Sequence, residues 1–79
     1  MAANESNLEV VLAAPGDRDD LVAELYYKDK FLLQVSLDDH GKLIVELPEK
    51  TDNWKYIAKS APYELLIEGL ALARKRLEQ

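Results

Sequence analysis

The residues best suited to chemistry are the aspartates and the single histidine of two polar turns. Asp38, Asp39 and His40 precede Gly41, and an earlier loop carries three more acids (Asp17, Asp19, Asp20). Such groups could bind a cation or transfer protons, but Ca²⁺ needs many oxygens at set positions, which this spacing does not supply. An acid–base carboxyl needs burial, and turn aspartates are normally solvated. We interpret both segments as solvated turns, and an enzyme using Asp38, Asp39 and His40 on a small ligand is the least favoured hypothesis.

Composition excludes most other catalytic sites. The chain has no cysteine and one histidine, which excludes thiolate metal sites and cysteine nucleophiles and disfavours a Ser-His-Asp triad. Gly16, Gly41 and Gly69 lie too far apart to form a phosphate-binding loop. The sequence therefore predicts no enzyme, no cofactor and no metal.

The charge of the chain bears on its partners. Ten basic residues against 15 acidic ones give a net charge of −5. Residues 1–49 carry 11 acids and 4 bases, whereas residues 50–79 carry 4 acids and 6 bases. Nucleic-acid binding usually needs a basic patch, so we expect no nucleic-acid partner. An acidic surface would attract a basic protein, although the charge could equally serve solubility alone.

Targeting signals are not evident. No apolar run approaches the ~18 residues that a membrane span needs. Residues 1–7 are small and polar and lack the features of a secretory signal. We expect a cytoplasmic protein without membrane contact, with a disordered tail over 1–7 and a single domain over 8–79.

Alternation of apolar and polar residues predicts a β-meander. Segments 21–28, 31–37 and 43–47 alternate with period two and are separated by short turns at 29–30 and 38–41, with their odd-numbered residues on one face. Segment 8–13 contains β-branched residues and is predicted to form a further strand. Segment 54–59 could be a strand or a short helix, and its aromatic content favours a strand.

The C-terminal segment predicts a helix. Ser60 is a candidate N-cap, and Pro62 suits the first turn. Apolar residues recur at helical spacing and form one stripe that would cover the odd-numbered sheet face (Tyr63, Leu66, Ile67, Leu70, Ala73, Leu77). The predicted fold is therefore α+β, a four- to five-stranded antiparallel β-meander packed on one face by a C-terminal α-helix.

Apolar residues remain after this core is assembled. Leu65 and Leu72 are predicted to point away from the sheet. The even-numbered sheet face carries an uncovered apolar group (Val22, Tyr26, Leu32, Ile44) beside Glu24 and Glu46. Contiguous exposed apolar surface often marks a partner site. Isolated surface apolar residues are also normal, and the first strand or the tail could fold over this face.

Three segments carry a resemblance to a known class of proteins. Residues 22–31, residues 42–47 and the ending from Tyr63 to Leu77 resemble small bacterial and phage proteins built as a β-meander plus one C-terminal helix. Some of those proteins are immunity proteins that neutralise toxin domains. The resemblance implies a non-enzymatic inhibitor that occludes a partner protein, and the acidic charge would suit a basic target.

Two functional hypotheses follow. The first is a small acidic protein-binding module of the immunity or inhibitor type, which docks through Tyr26, Leu32 and Ile44 with Glu24 and Glu46 at the rim. The second is a homodimeric structural or regulatory protein, joined through Leu65 and Leu72 or through sheet edges.

Overall fold

The computed structural model describes residues 8–14, 21–48 and 56–78. Four strands form one antiparallel sheet in the order β1-β2-β3-β4. Their bounds are Leu8–Ala13 (β1), Val22–Tyr27 (β2), Lys30–Leu37 (β3) and Leu43–Glu46 (β4), and helix α1 spans Tyr63–Leu77. The α+β meander is confirmed with four strands. The predicted tail over 1–7, the acidic loop with Asp17, Asp19 and Asp20, and positions 54–55 lie outside the described residues.

The core lies between α1 and one face of the sheet. The buried core residues are Ala23 and Leu25 of β2, Leu33 and Val35 of β3, and Ala73 of α1. These β2 and β3 positions are the odd-numbered ones that the alternation predicted. Further apolar residues from β1 and α1 pack against this cluster (Leu8, Val10, Leu66, Leu70, Leu77).

The helix covers only part of this face. It packs across β1, β2 and β3, while Leu43 and Val45 of β4 remain 38% and 49% exposed. Tyr63 and Ile67 are also exposed, so the predicted stripe contributes only its other members to the core. The expectation that the helix would cover the apolar residues of β4 is therefore wrong, because α1 lies too far toward β1.

Charged side chains at both ends of α1 compensate the helix dipole. Glu64 lies in the first turn, and Arg74, Lys75 and Arg76 lie in the last, where opposite charges stabilise a helix. Pro62, rather than the predicted Ser60, occupies the N-cap position, and its carbonyl accepts the first helical hydrogen bond from the Leu66 N–H at 3.0 Å.

A β-bulge changes the face that β3 presents. Leu25 pairs with Leu33, whereas Tyr26 pairs with Phe31, so Leu32 is an extra residue in β3. Phe31 therefore shares a face with Tyr26, and Leu32 packs against the core cluster. This corrects two expectations: the odd-numbered residues do not share one face along all of β3, and Leu32 does not lie on the uncovered face beside Tyr26.

Both hairpin turns have backbone geometry that accounts for their sequence. Lys28 and Asp29 have φ of 52° and 67°, which makes them the central residues of the β2–β3 turn, one position before the predicted one. In the β3–β4 turn, the Asp38 carboxylate accepts hydrogen bonds from the N–H groups of His40 and Lys42, both at 2.8 Å. Gly41 has φ of 79°, which glycine adopts without strain.

The predicted fifth strand is reduced to one bridge in the described part of its segment. Ile57 forms a single parallel bridge with Phe31, and the Ala58 N–H donates to the Phe31 carbonyl at 2.8 Å. This contact lies next to the point where β4 ends, opposite Gln34. It ties the segment before α1 to the first residues of β3.

Candidate protein-binding surface

The sheet face turned away from α1, called here the distal face, carries a row of polar side chains across its centre. The strand register aligns Glu24 of β2, Gln34 of β3 and Glu46 of β4 side by side. Gln34 donates from Nε2 to Glu46 Oε1 at 2.6 Å. Two of the three side chains are carboxylates, so this row makes the centre of the distal face acidic.

An aromatic pair lies beside this acidic row. Tyr26 and Phe31 face each other across β2 and β3, with ring centroids 5.7 Å apart and an edge-to-face angle of 66°. The Tyr26 hydroxyl donates to Glu24 Oε1 at 3.0 Å. Desolvation, this hydrogen bond and the negative charge of Glu24 raise the pKa of Tyr26 above its usual value. Tyr26 is therefore a neutral hydrogen-bond donor throughout the physiological pH range.

A shallow groove opens at the end of the sheet where β3 begins and β4 ends. It has a volume of about 510 Å³ and is lined by Phe31, Gln34, Glu46, Leu47 and Pro48. Leu47 is 73% exposed. Apolar walls beside a carboxylate suit the stem and charged head of a lysine or arginine side chain.

The other end of the distal face is not open. Val22 and Ser36 belong to this face by register, yet both are buried. Ile44, the cross-strand neighbour of Ser36, is 41% exposed. The expectation that the whole even-numbered face is uncovered is thus wrong at the positions of Val22 and Ser36. The exposed apolar side chains are Val11 and Ile44 on this face and Leu47 just beyond β4, whereas Phe31 is half-buried.

The structure brings together most of the predicted partner residues. Tyr26, Glu24, Glu46 and Ile44 all lie on the distal face, and Leu32 does not. Sequence reasoning missed Phe31, which was assigned to the core side. The run Phe31-Leu32-Leu33 places three apolar residues in succession within an alternating strand, and that break was the available signal for a bulge.

Leu65 and Leu72 lie on the flank of α1 beside β1 rather than, as predicted, on the side of the helix opposite the sheet, although Leu72 is 38% exposed. They line a small groove of about 120 Å³ between α1 and β1, together with Leu8, Val10, Glu68 and Gly69. Below it, Arg76 Nη1 donates to the Val10 carbonyl at 2.9 Å. Because α1 extends over β1, the helix flank that carries both leucines meets an edge strand.

The acidic residues and the histidine of the β3–β4 turn either support the turn or are exposed. The Asp38 carboxylate is engaged by two backbone N–H groups of its own turn. Asp39 and His40 are exposed at the turn. Among the described residues, no three His, Asp or Glu side chains are grouped so that they could hold a metal ion.

Comparison with known proteins gives no relative: no protein family, no curated protein and no solved structure matches this chain. Within the described ranges, α1 is neither long nor apolar enough to cross a membrane.

Proposed function

We propose that this protein is a small acidic binding module, without catalysis of its own, that docks its distal face onto a basic partner protein. Such a module would act as an inhibitor of the immunity type, by occluding the surface of its partner. The observation that supports this proposal is the row of Glu24, Gln34 and Glu46 beside the ring pair of Tyr26 and Phe31.

The proposed contact divides into an anchor and a steering charge. Aromatic residues dominate protein interfaces because they bury much apolar area at low entropic cost. Tyr26 and Phe31 support each other edge to face, so their rings are already ordered before a partner arrives. Carboxylates around such an anchor speed encounter with a basic surface and select against acidic ones.

The groove gives this contact a specific recognition element. Phe31, Leu47 and Pro48 form apolar walls, and the Glu46 carboxylate lies beside them. A basic side chain of the partner would pack its methylenes on these walls and place its charge at Glu46. We therefore expect Glu46 to contribute more to affinity than an exposed acid elsewhere, because part of its solvation is lost when the groove is filled.

The test is capture of the partner from extracts of the native cell with tagged protein, at low and at high salt. The wild-type protein should retain a basic protein that high salt releases. Tyr26→Ala should abolish that capture with little loss of stability, and Glu46→Gln, which keeps the shape and removes the charge, should weaken it. Tyr63→Ala is the matched control, because Tyr63 is 72% exposed on α1, on the opposite side of the sheet.

Two results would overturn the proposal. One is a captured protein that Tyr26→Ala and Glu46→Gln retain as well as Tyr63→Ala does. The other is no salt-sensitive capture by the wild-type protein. If Tyr26→Ala unfolds the domain, which circular dichroism would show, Tyr26 belongs to the core and Glu46→Gln alone decides the outcome.

A further inference from the structure

The outer edge of β4 presents backbone groups that no described segment pairs with. The Asp38 N–H donates to the Lys42 carbonyl at 2.9 Å, which sets the hydrogen-bonding phase of the β3–β4 ladder. Hydrogen-bonded and non-hydrogen-bonded residue pairs alternate in an antiparallel ladder. The backbone N–H and C=O groups of Ile44 and Glu46 therefore form hydrogen bonds with β3. The N–H and C=O groups of Leu43 and Val45 therefore point away from the sheet.

The two edges of the sheet are protected unequally. At the β1 edge, Val11 and Leu12 are 44% and 39% exposed, but α1 packs over the strand and Arg76 occupies the outward carbonyl of Val10. At the β4 edge, three consecutive apolar residues, Leu43, Ile44 and Val45, are all exposed. Exposed apolar edge strands are templates for pairing with another strand, and natural proteins usually block them with short length, charge, proline or cover. β4 is short, at 4 residues, but its three apolar residues carry no charge or proline between them.

We propose that β4 pairs in antiparallel fashion with β4 of a second copy of this chain, centred on Ile44, so that two four-stranded sheets become one continuous sheet. This inference concerns the β4 edge and is argued separately from the function proposed for the distal face, although both use the Glu46 carboxylate. Val45→Lys tests the edge alone, because Val45 lies on the other face of the sheet. A twofold axis passes beside Ile44. Leu43 forms a hydrogen-bonded pair with the partner's Val45, and Val45 with the partner's Leu43.

Charge complementarity selects both the occupant and the register. With Ile44 at the centre, Lys42 lies opposite the partner's Glu46, and Glu46 lies opposite the partner's Lys42. A register centred on Val45 would place Glu46 opposite the partner's Ile44, and one centred on Leu43 would place Lys42 there. Only the register centred on Ile44 pairs both charges, and the twofold symmetry makes each pair occur twice.

The apolar residues on the helix side agree with this arrangement. Leu43 and Val45 point to the α1 side of the sheet, where the helix does not cover them. In the dimer, Leu43 would lie beside the partner's Val45, and Val45 beside the partner's Leu43. At 100° per residue, Ile67 lies about 160° around α1 from Leu65, which faces β1. The exposed Ile67 therefore lies on the flank of α1 that is turned away from β1, on the side of the uncovered strip.

The test measures self-association by sedimentation velocity over a wide range of protein concentration. We expect the wild-type mass to rise from that of one chain, 9.0 kDa, to twice that value. Val45→Lys should abolish the dimer. Lys42→Glu and Glu46→Lys should each raise the dimer dissociation constant by roughly tenfold, because two attractive pairs become repulsive.

Mixing the two charge variants tests the register itself. Lys42→Glu supplies two acids to the seam and Glu46→Lys supplies two bases, so the mixture should form a heterodimer about as tight as the wild-type homodimer. Native mass spectrometry distinguishes the heterodimer from both homodimers. Lys75→Glu is the matched control, because it makes the same charge change at an exposed α1 position and should leave the dimer unchanged.

The proposal fails if the wild-type chain stays monomeric at every concentration. It also fails if a dimer forms but tolerates Val45→Lys, which would place the interface elsewhere. A dimer lost in Val45→Lys but not restored in the mixture would overturn the register centred on Ile44. Circular dichroism of each variant confirms that it remains folded.

Discussion

Gly69 lies where α1 comes closest to the sheet, and its replacement by alanine is a direct test of that packing. A Cβ at this position would lie 2.5 Å from Leu8 Cδ2 and 3.2 Å from Leu25 Cδ2. Ordinary carbon contacts are about 3.5–4.0 Å, so both neighbours would have to move. Gly69 is itself buried in the middle of α1.

Two opposing terms set the size of the effect. In an exposed helix, alanine is favoured over glycine by about 1 kcal/mol. Overpacking a core typically costs about 1–3 kcal/mol, and here Leu25 is fully buried and cannot move far. Leu8, at the start of β1, would have to leave the contact. We therefore expect Gly69→Ala to lower the free energy of unfolding by about 1 kcal/mol.

Urea unfolding followed by circular dichroism measures this change. Ala71→Gly, at an exposed position of the same helix, supplies the propensity term alone and should cost about 1 kcal/mol. In a Leu8→Ala background the closer of the two clashes is gone, so Gly69→Ala should no longer destabilise and should approach the propensity gain. If Gly69→Ala stabilises the protein with Leu8 intact, by as much as Ala71→Gly destabilises it, the close packing inferred for Gly69 is wrong.

Three further predictions concern the turns and the distal face. Asp38→Ala should lower the free energy of unfolding by about 1–2 kcal/mol in urea titrations, since two backbone N–H groups lose their acceptor. Asp38→Asn should retain most of the wild-type stability, because its side-chain oxygen still accepts both hydrogen bonds. Replacing Lys28 by Asn and Asp29 by Gly should stabilise by about 1 kcal/mol, because both positions have positive φ; an unchanged urea midpoint would contradict this. The raised pKa of Tyr26 supplies stability that is complete below its unfolded pKa and is lost as pH rises through the folded one, so Tyr26→Phe should reduce the loss of stability in alkaline unfolding series.

The features that were predictable from sequence are those set by local periodicity. The alternation around Ala23 and Leu25 identified the face of β2 that packs against α1, because a one-residue slip would move both side chains to the other face. The spacing of Leu66, Leu70, Ala73 and Leu77 identified the helix and its buried side in the same way. Both follow from the geometry of a single element and need no knowledge of its neighbours.

The features that were not predictable depend on how elements meet. Leu32 leaves the alternation only because β3 must stay in register with β2 on both sides of the bulge. The lateral position of α1 is set by contacts such as that of Gly69 with Leu8, which lie far apart in sequence. The aromatic partner of Tyr26 was therefore misassigned to the core, and the apolar residues of β4 were wrongly given a cover.

The width of one helix explains why α1 does not cover β4. Strands lie about 4.8 Å apart, so four of them span roughly 14 Å between the outer axes, whereas a helix with its side chains is about 10 Å across. A single helix cannot cover the whole width of this sheet, and the Gly69 contact and the bond from Arg76 to Val10 hold α1 on the β1 side. Many natural edge strands that stay unpaired carry charge or proline at their centre, whereas β4 carries Leu43, Ile44 and Val45 between Lys42 and Glu46. That arrangement, apolar at the centre and oppositely charged at its two ends, is self-complementary when reversed, so a second β4 in antiparallel orientation would complement it at every position.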